Sequence, residues 1–198
     1  MEIRRMEADW EFEVGGNAPA VGGHAPVIDA FWSGFVDLRL DPELAWMLAE
    51  AGELPALAAT LEKLNTRSSP VWTSKCDYWP ELQPGEFDSD ELDAPPGSSA
   101  HGAGCYIDLL PKENREWSSP HLAEAVCRRF CGALGLVPMR CCRVDLVIRR
   151  SIIAPEMIGL GISAYLTACG PTAGDAKRTL ESALAIFGDA LCPHSTIQ

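Results

Sequence analysis

Two neighbouring stretches near the end of the chain constrain the fold more than any other feature. Between Arg140 and Ser151, the apolar Cys142, Val144, Leu146 and Ile148 alternate with Arg143, Asp145 and Arg149. Between Met157 and Ala168, Ile158, Leu160, Ile162, Ala164 and Leu166 alternate with Ser163, Tyr165 and Thr167. A period of two sends successive side chains to opposite faces of a strand, so each run has one apolar and one polar face. Such a chain builds a sheet that is covered on one side, and the cover must come from elsewhere in the sequence.

Three helical blocks can supply it. Asp41-Pro42-Glu43 combines a capping acid, a proline at the first helical position and a second acid near the positive helix end. The block it opens, 41–64, carries Leu44, Met47, Leu48, Leu57, Leu61 and Leu64 at helical spacing, with Gly52 and Pro55 splitting or kinking it. Ser119-Pro120 opens a second helix, 119–134, with a stripe of Leu122, Val126, Phe130 and Leu134 and a stop at Gly135. Thr172, with Asp175 three residues on, caps a third, 172–191, whose buried face is Leu180, Leu184, Phe187 and Leu191.

The remaining strands are expected at Trp10–Val14, Val27–Arg39, Val71–Tyr78 and Ala103–Leu110. In the third of these, Trp72 and Cys76 share one face, and Thr73, Lys75 and Asp77 the other. The expected architecture is a single α+β domain, 1–198, with one mainly antiparallel sheet of about six strands. Its three helical blocks cover one face in the order ββα-ββα-ββα. The section from Val27 to Ser151 reads β-α-β-β-α-β, the order of a ferredoxin-like core. That topology would put Val27–Arg39 in the centre and send Trp10–Val14 to an edge; the alternative is three hairpins in another order. The core is expected to include Trp32, Leu57, Leu61, Ile107, Val126, Phe130, Val144, Leu146, Ile162, Leu184 and Phe187.

Charge narrows the partners. With 28 Asp and Glu against 16 Lys and Arg, the net charge is −12, and the cations are scattered. A nucleic-acid binder needs a basic stripe to neutralise phosphates, and anionic lipid heads would repel this chain, so neither nucleic acid nor membrane is expected. No run approaches the roughly 20 apolar residues that span a bilayer, and the first residues lack a secretory pattern, which suggests a cytoplasmic protein. The eight cysteines fit free thiols: Cys105, Cys142 and Cys169 fall in strands, and Cys127 and Cys131 lie one helical turn apart. No tight C-x₂-C turn offers a metal site, and no nucleotide fingerprint or catalytic elbow occurs, so neither metal nor cofactor is expected. Cys76, beside Lys75, reads as a core thiol rather than a nucleophile.

One long connection, Trp79–Gly102, carries six acids and no Lys or Arg, half of the net charge. Its Glu86–Asp93 segment lacks the glycine and ligand spacing of a calcium loop. Loops this long are often lids or binding loops. Together with Gly15–Pro26 it could fold over the uncovered sheet face. That polar face is the candidate ligand-binding surface, built by Asp37, Lys75, Asp77, Asp108, Arg143, Asp145, Arg149 and Tyr165. It suits a binding or interaction module, taking a small anionic ligand, a basic protein partner or a second copy of the chain in a homodimer. It also suits a small enzyme in which Lys75 or Arg143 holds an anionic group and Asp77 or Asp145 acts as general base. No catalytic residue is assigned.

Overall fold

A computed structural model describes residues 5–13, 35–83, 85–94, 100–113, 117, 119–154 and 157–192. The side chains of 152–154, 157 and 158 fall outside that description. The protein is α+β, with one mixed sheet of five strands among the described residues. These are β1 (Glu7–Phe12), β2 (Val71–Leu82), β3 (His101–Pro111), β4 (Cys142–Ala154) and β5 (Met157–Gly170), in the order β1-β4-β5-β3-β2. The helices are a 3-10 turn at Pro42–Met47, then α1 (Ala49–Glu53), α2 (Pro55–Asn65), α3 (Pro120–Leu134) and α4 (Ala173–Leu191). No described helix is long and apolar enough to cross a membrane.

The alternation of the two C-terminal runs sets the sheet. Val144 pairs with Leu166, Leu146 with Ala164 and Ile148 with Ile162 across the β4–β5 hairpin, and all six are buried. Cys105, Ile107 and Leu109 of β3 extend this apolar face on the other side of β5. Against it lie Leu57, Leu61 and Leu64 of α2, Ala123, Cys127, Phe130 and Leu134 of α3, and Leu180, Leu184, Phe187 and Leu191 of α4, in one hydrophobic cluster. Phe130 and Phe187 meet edge to face, their centroids 5.8 Å apart, and tie α3 to α4.

Local chemistry accounts for the helix boundaries. Asp41 accepts the Glu43 amide at 3.1 Å and Thr172 accepts the Asp175 amide at 3.1 Å, satisfying amides that have no partner inside the helix. Thr172 also donates to the Asp175 carboxylate at 2.6 Å. The expected 41–64 block is divided in three. Leu48 is extended (φ −70, ψ 145), and Leu54 leaves the helical region (φ −133, ψ 82) because the Pro55 ring behind it excludes that conformation. Gly52 stays helical, so the break belongs to Pro55. In α3 the buried stripe is Ala123, Cys127, Phe130 and Leu134; Leu122 is 43% exposed rather than in the stripe.

Four further expectations are corrected. The sheet is mixed, because β1 runs parallel to β4, with Glu7 beside Arg143 and Phe12 beside Ile148. The centre expected for Val27–Arg39 is held by β5, which bonds to β3 on one side and β4 on the other and leaves no slot between them. The end of that expected strand is a turn: residues 38–40 bend back, and Asp37 and Arg39 pair with each other at 2.6 Å. Its residues 27–34, including Trp32, lie outside the described residues. Finally, β2 carries an irregularity between Thr73, which pairs with Leu109, and Cys76, which pairs with Ile107. Two residues, Ser74 and Lys75, stand against the single Asp108 of β3, and this one extra residue resets the alternation, so Trp72 faces away from Cys76, and Thr73 faces away from Asp77.

Candidate functional site

The sheet face opposite the helices can be followed row by row. One row runs Asp77, Tyr106, Tyr165, Asp145, Asp9 across β2, β3, β5, β4 and β1. The next, towards the Ala154 end of β4, runs Asp108, Ser163, Val147, Glu11. On the other side lie Trp79, Gly104, Thr167, Arg143 and Glu7. Of the eight expected site residues, Asp77, Asp108, Arg143, Asp145, Arg149 and Tyr165 share this face. Lys75 sits in the β2 irregularity, close enough to Asp108 to act on its charge. Asp37 belongs to the turn that precedes the 3-10 helix and is not in the rows.

The face is less open than alternation alone suggests. An aromatic band crosses it: Trp79 stacks on Tyr106 at 5.7 Å, Tyr106 meets Tyr165 at 5.8 Å, and the Arg149 guanidinium lies 5.6 Å from the Tyr165 ring centroid. Burial, with help from the nearby Asp108 and Asp77 carboxylates, pushes the Tyr106 hydroxyl up to about 12. Asp108 is only 2% exposed, and burial raises its carboxyl to about 6 against the opposing pull of the Ser163 hydrogen bond, Lys75 and Arg149. Arg149 Nε lies 2.7 Å from Glu13 Oε2, yet its N–H is aligned with no acceptor among the described residues, so this contact is an ion pair without a hydrogen bond.

Sequence reasoning missed the cavity beside this band. About 350 Å³ of space lies where the acidic turn 86–92 passes over β1 and β4. Its carboxylates are Asp9, Glu11, Glu86, Asp88, Glu91 and Asp145, and its one cation is Arg143. Arg143 Nε donates to Asp145 Oδ1 at 2.7 Å, with Glu91 at 3.7 Å, and the Asp145 bond raises the guanidinium's already high pKa. Phe87, Leu92, Trp10, Leu146 and Thr167 complete the lining.

The turn is held in place by its own apolar residues. Leu92 is buried, and Phe87 lies so close to β3 that a Cβ at Gly102 would sit 2.5 Å from its ring. Arg140 pins the far end, pairing with Asp93 Oδ2 at 2.9 Å and donating to the Asp93 carbonyl at 3.2 Å. Two signals could have pointed here. Glu7, Asp9, Glu11 and Glu13 recur at every second position, which puts four acids on one strand face, and Phe87 and Leu92 interrupt an otherwise acidic segment.

Other features hold less chemistry. All eight cysteines are free thiols. Cys76 is pushed up to about 12, by burial first and then by Glu50, Asp77 and Asp108, which leaves it protonated and a poor nucleophile. Among the described residues, no three His, Cys, Asp or Glu side chains are grouped to hold a metal ion. A second cavity of about 330 Å³ brings Lys75 and Tyr106 together with Phe35 and Leu38. A third, about 820 Å³ within the helical layer, is lined by Trp117, Val126, Phe130 and Leu191 with Lys63 and Arg129. No protein-family model, curated protein or solved structure matches the chain.

Proposed function

We propose that the protein is an interaction module that uses the face opposite its helices to bind a basic protein partner, one of whose arginine or lysine side chains enters the cavity under the acidic turn. The observation that carries this reading is the imbalance in that cavity, where six carboxylates face one guanidinium that is already paired with Asp145 and Glu91. Complementary charge of this kind speeds encounter and sets register. The aromatic band of Trp79, Tyr106 and Tyr165 beside the cavity adds the flat apolar area that interface centres use. The strongly shifted carboxylate, Asp108, does not line this cavity, which favours binding over acid–base chemistry there.

The test is titration with short arginine-containing and lysine-containing peptides, followed by amide chemical shifts. Expected are shifts concentrated on β1, 86–92 and β4, weakened by salt and reduced about tenfold or more by D9N combined with E11Q. Shifts spread evenly over all acidic surfaces, or unchanged in that variant, would reject the reading.

The alternative, a small enzyme acting on an anionic molecule, draws on a different place. Lys75 and Tyr106 line the second cavity, and Asp108, raised to about 6, lies close to Lys75. Screening phosphorylated and carboxylated small molecules against wild type and D108N distinguishes it; turnover that persists in the variant would dismiss it.

A further inference from the structure

Cys141 and Cys169 lie under the same acidic turn, and nothing in the proposed binding role uses them. The Cys169 amide donates to the Cys141 carbonyl at 2.8 Å, one step beyond the Cys142–Ala168 pair, so the two cysteines stand directly opposite each other. Residues facing each other across an antiparallel pair have Cα atoms about 4.5–5.5 Å apart, inside the roughly 4.4–6.8 Å window of a disulfide. Cys169 is two residues from Thr167 and belongs to the face opposite the helices, and the Cys141 thiol meets the Asp93 carbonyl of the acidic turn on that side. The Cys141 thiol is near enough to Cys169 to hold the Cys169 thiol's pKa up. Cys142 turns into the core and cannot compete for either partner.

Cys141 is also strained. Its φ is +60, a left-handed conformation that disfavours a residue with a Cβ, and such strain gathers where a site is poised to change. Cys141 is half-buried, whereas Cys169 is fully buried. The Cys141 thiol points at the Asp93 carbonyl at 3.9 Å, and Asp93 is the residue through which Arg140 anchors the turn.

We propose that Cys141 and Cys169 form a reversible disulfide when the protein meets a small disulfide oxidant such as glutathione disulfide, and that closure loosens the acidic turn. The Cys141 thiolate attacks one sulfur of glutathione disulfide, forming a mixed disulfide and expelling one glutathione thiolate. Cys169 gives its proton to water and attacks the Cys141 sulfur, forming the protein disulfide and releasing the second glutathione. Two protein thiols are oxidised and one glutathione disulfide is reduced. Burial and the neighbouring Cys141 hold the Cys169 thiol up at about 12, so the second step is the slow one and accelerates with pH. Drawing the Cys141 sulfur to Cys169 takes it from the Asp93 carbonyl and leaves Arg140 as the remaining tie there, which loosens the turn at that end.

The full chain is equilibrated in glutathione buffers from reducing to oxidising, quenched in acid, alkylated and digested for mass spectrometry. Expected is a single cross-linked peptide joining Cys141 to Cys169, with the other thiols retained and the pair restored by dithiothreitol. C141S and C169S each abolish it, while C142S keeps it. Amide exchange over 86–93 should rise at least severalfold on oxidation in the wild type and not in C141S, a readout independent of any binding partner. The proposal is overturned if all eight thiols survive the most oxidising buffer. It is overturned equally if Cys141 stays glutathionylated without closing, or if the cross-link joins other cysteines. An unchanged turn in the cross-linked protein removes its second half.

Discussion

Ser163 on β5 and Asp108 on β3 stand opposite each other, and the serine hydroxyl donates to Asp108 Oδ1. Both side chains are buried, although they occupy the face the helices leave uncovered. A carboxylate removed from water holds its proton more tightly than in the unfolded chain. Its folded pKa, about 6, therefore exceeds the ordinary 3.8.

The sign of the resulting pH dependence follows from linkage. The native state binds the proton better, so Asp108 contributes stability below the unfolded pKa of 3.8, and that contribution is lost as pH rises through about 6. D108N should remove this dependence and unfold at a higher denaturant concentration than wild type near neutral pH, by at most about 3 kcal/mol. S163A should cost about 1–3 kcal/mol at the same pH by stripping the carboxylate of its donor. Urea unfolding at acid and neutral pH measures both, and an identical pH profile in wild type and D108N would refute the account.

Leu122 and Leu134 share one helical stripe by sequence spacing, but Leu134 is fully buried and Leu122 is 43% exposed. Leu134→Ala should cost about 2–5 kcal/mol, as core truncations do, and Leu146→Ala a similar amount. Leu122→Ala should cost about 0.5 kcal/mol or less. Equal losses at Leu122 and Leu134 would mean that α3 is rotated from the orientation described.

Gly170 and Gly102 should answer differently to alanine. A Cβ at Gly170 would lie 2.6–2.8 Å from Asp175 Cβ, Asp175 C and the Ala176 amide, where β5 runs into the first turn of α4. Backbone there cannot step aside, so G170A should cost about 1–3 kcal/mol. At Gly102 the main obstacle is the edge of the Phe87 ring, which can swing away, with the Leu82 Cβ at 3.1 Å a smaller one. G102A should therefore leave the unfolding midpoint nearly unchanged while increasing amide exchange over 86–92. Comparable destabilisation by the two substitutions would contradict this.

The fold was readable where one rule acted alone. Strict alternation placed Val144, Leu146, Ile162 and Ala164 inward without help from neighbours, and the caps at Asp41, Ser119 and Thr172 marked helix starts. Reading failed where partners far along the chain decide. Nothing local says that β1 lies parallel to β4, or that β5 rather than Val27–Arg39 takes the centre. The irregularity at Ser74–Lys75 put Trp72 and Cys76 on opposite faces because a single inserted step reverses everything beyond it. Six of the expected site residues share the polar face for the reason alternation supplies. The cavity escaped notice because its walls come from two acidic segments whose proximity is a tertiary fact.

The pairing of β1 with β4 also bears on how the chain assembles. Glu7 finds its ladder partner at Arg143, so β1 cannot dock until β4, far along the chain, is present. A contact between residues so far apart in sequence slows folding, and β1 is expected to dock late. In the interval an apolar strand would invite aggregation, but Glu7, Asp9 and Glu11 charge this one along its length. The acids that line the cavity in the finished protein thus also act earlier, as gatekeepers of an unpaired strand.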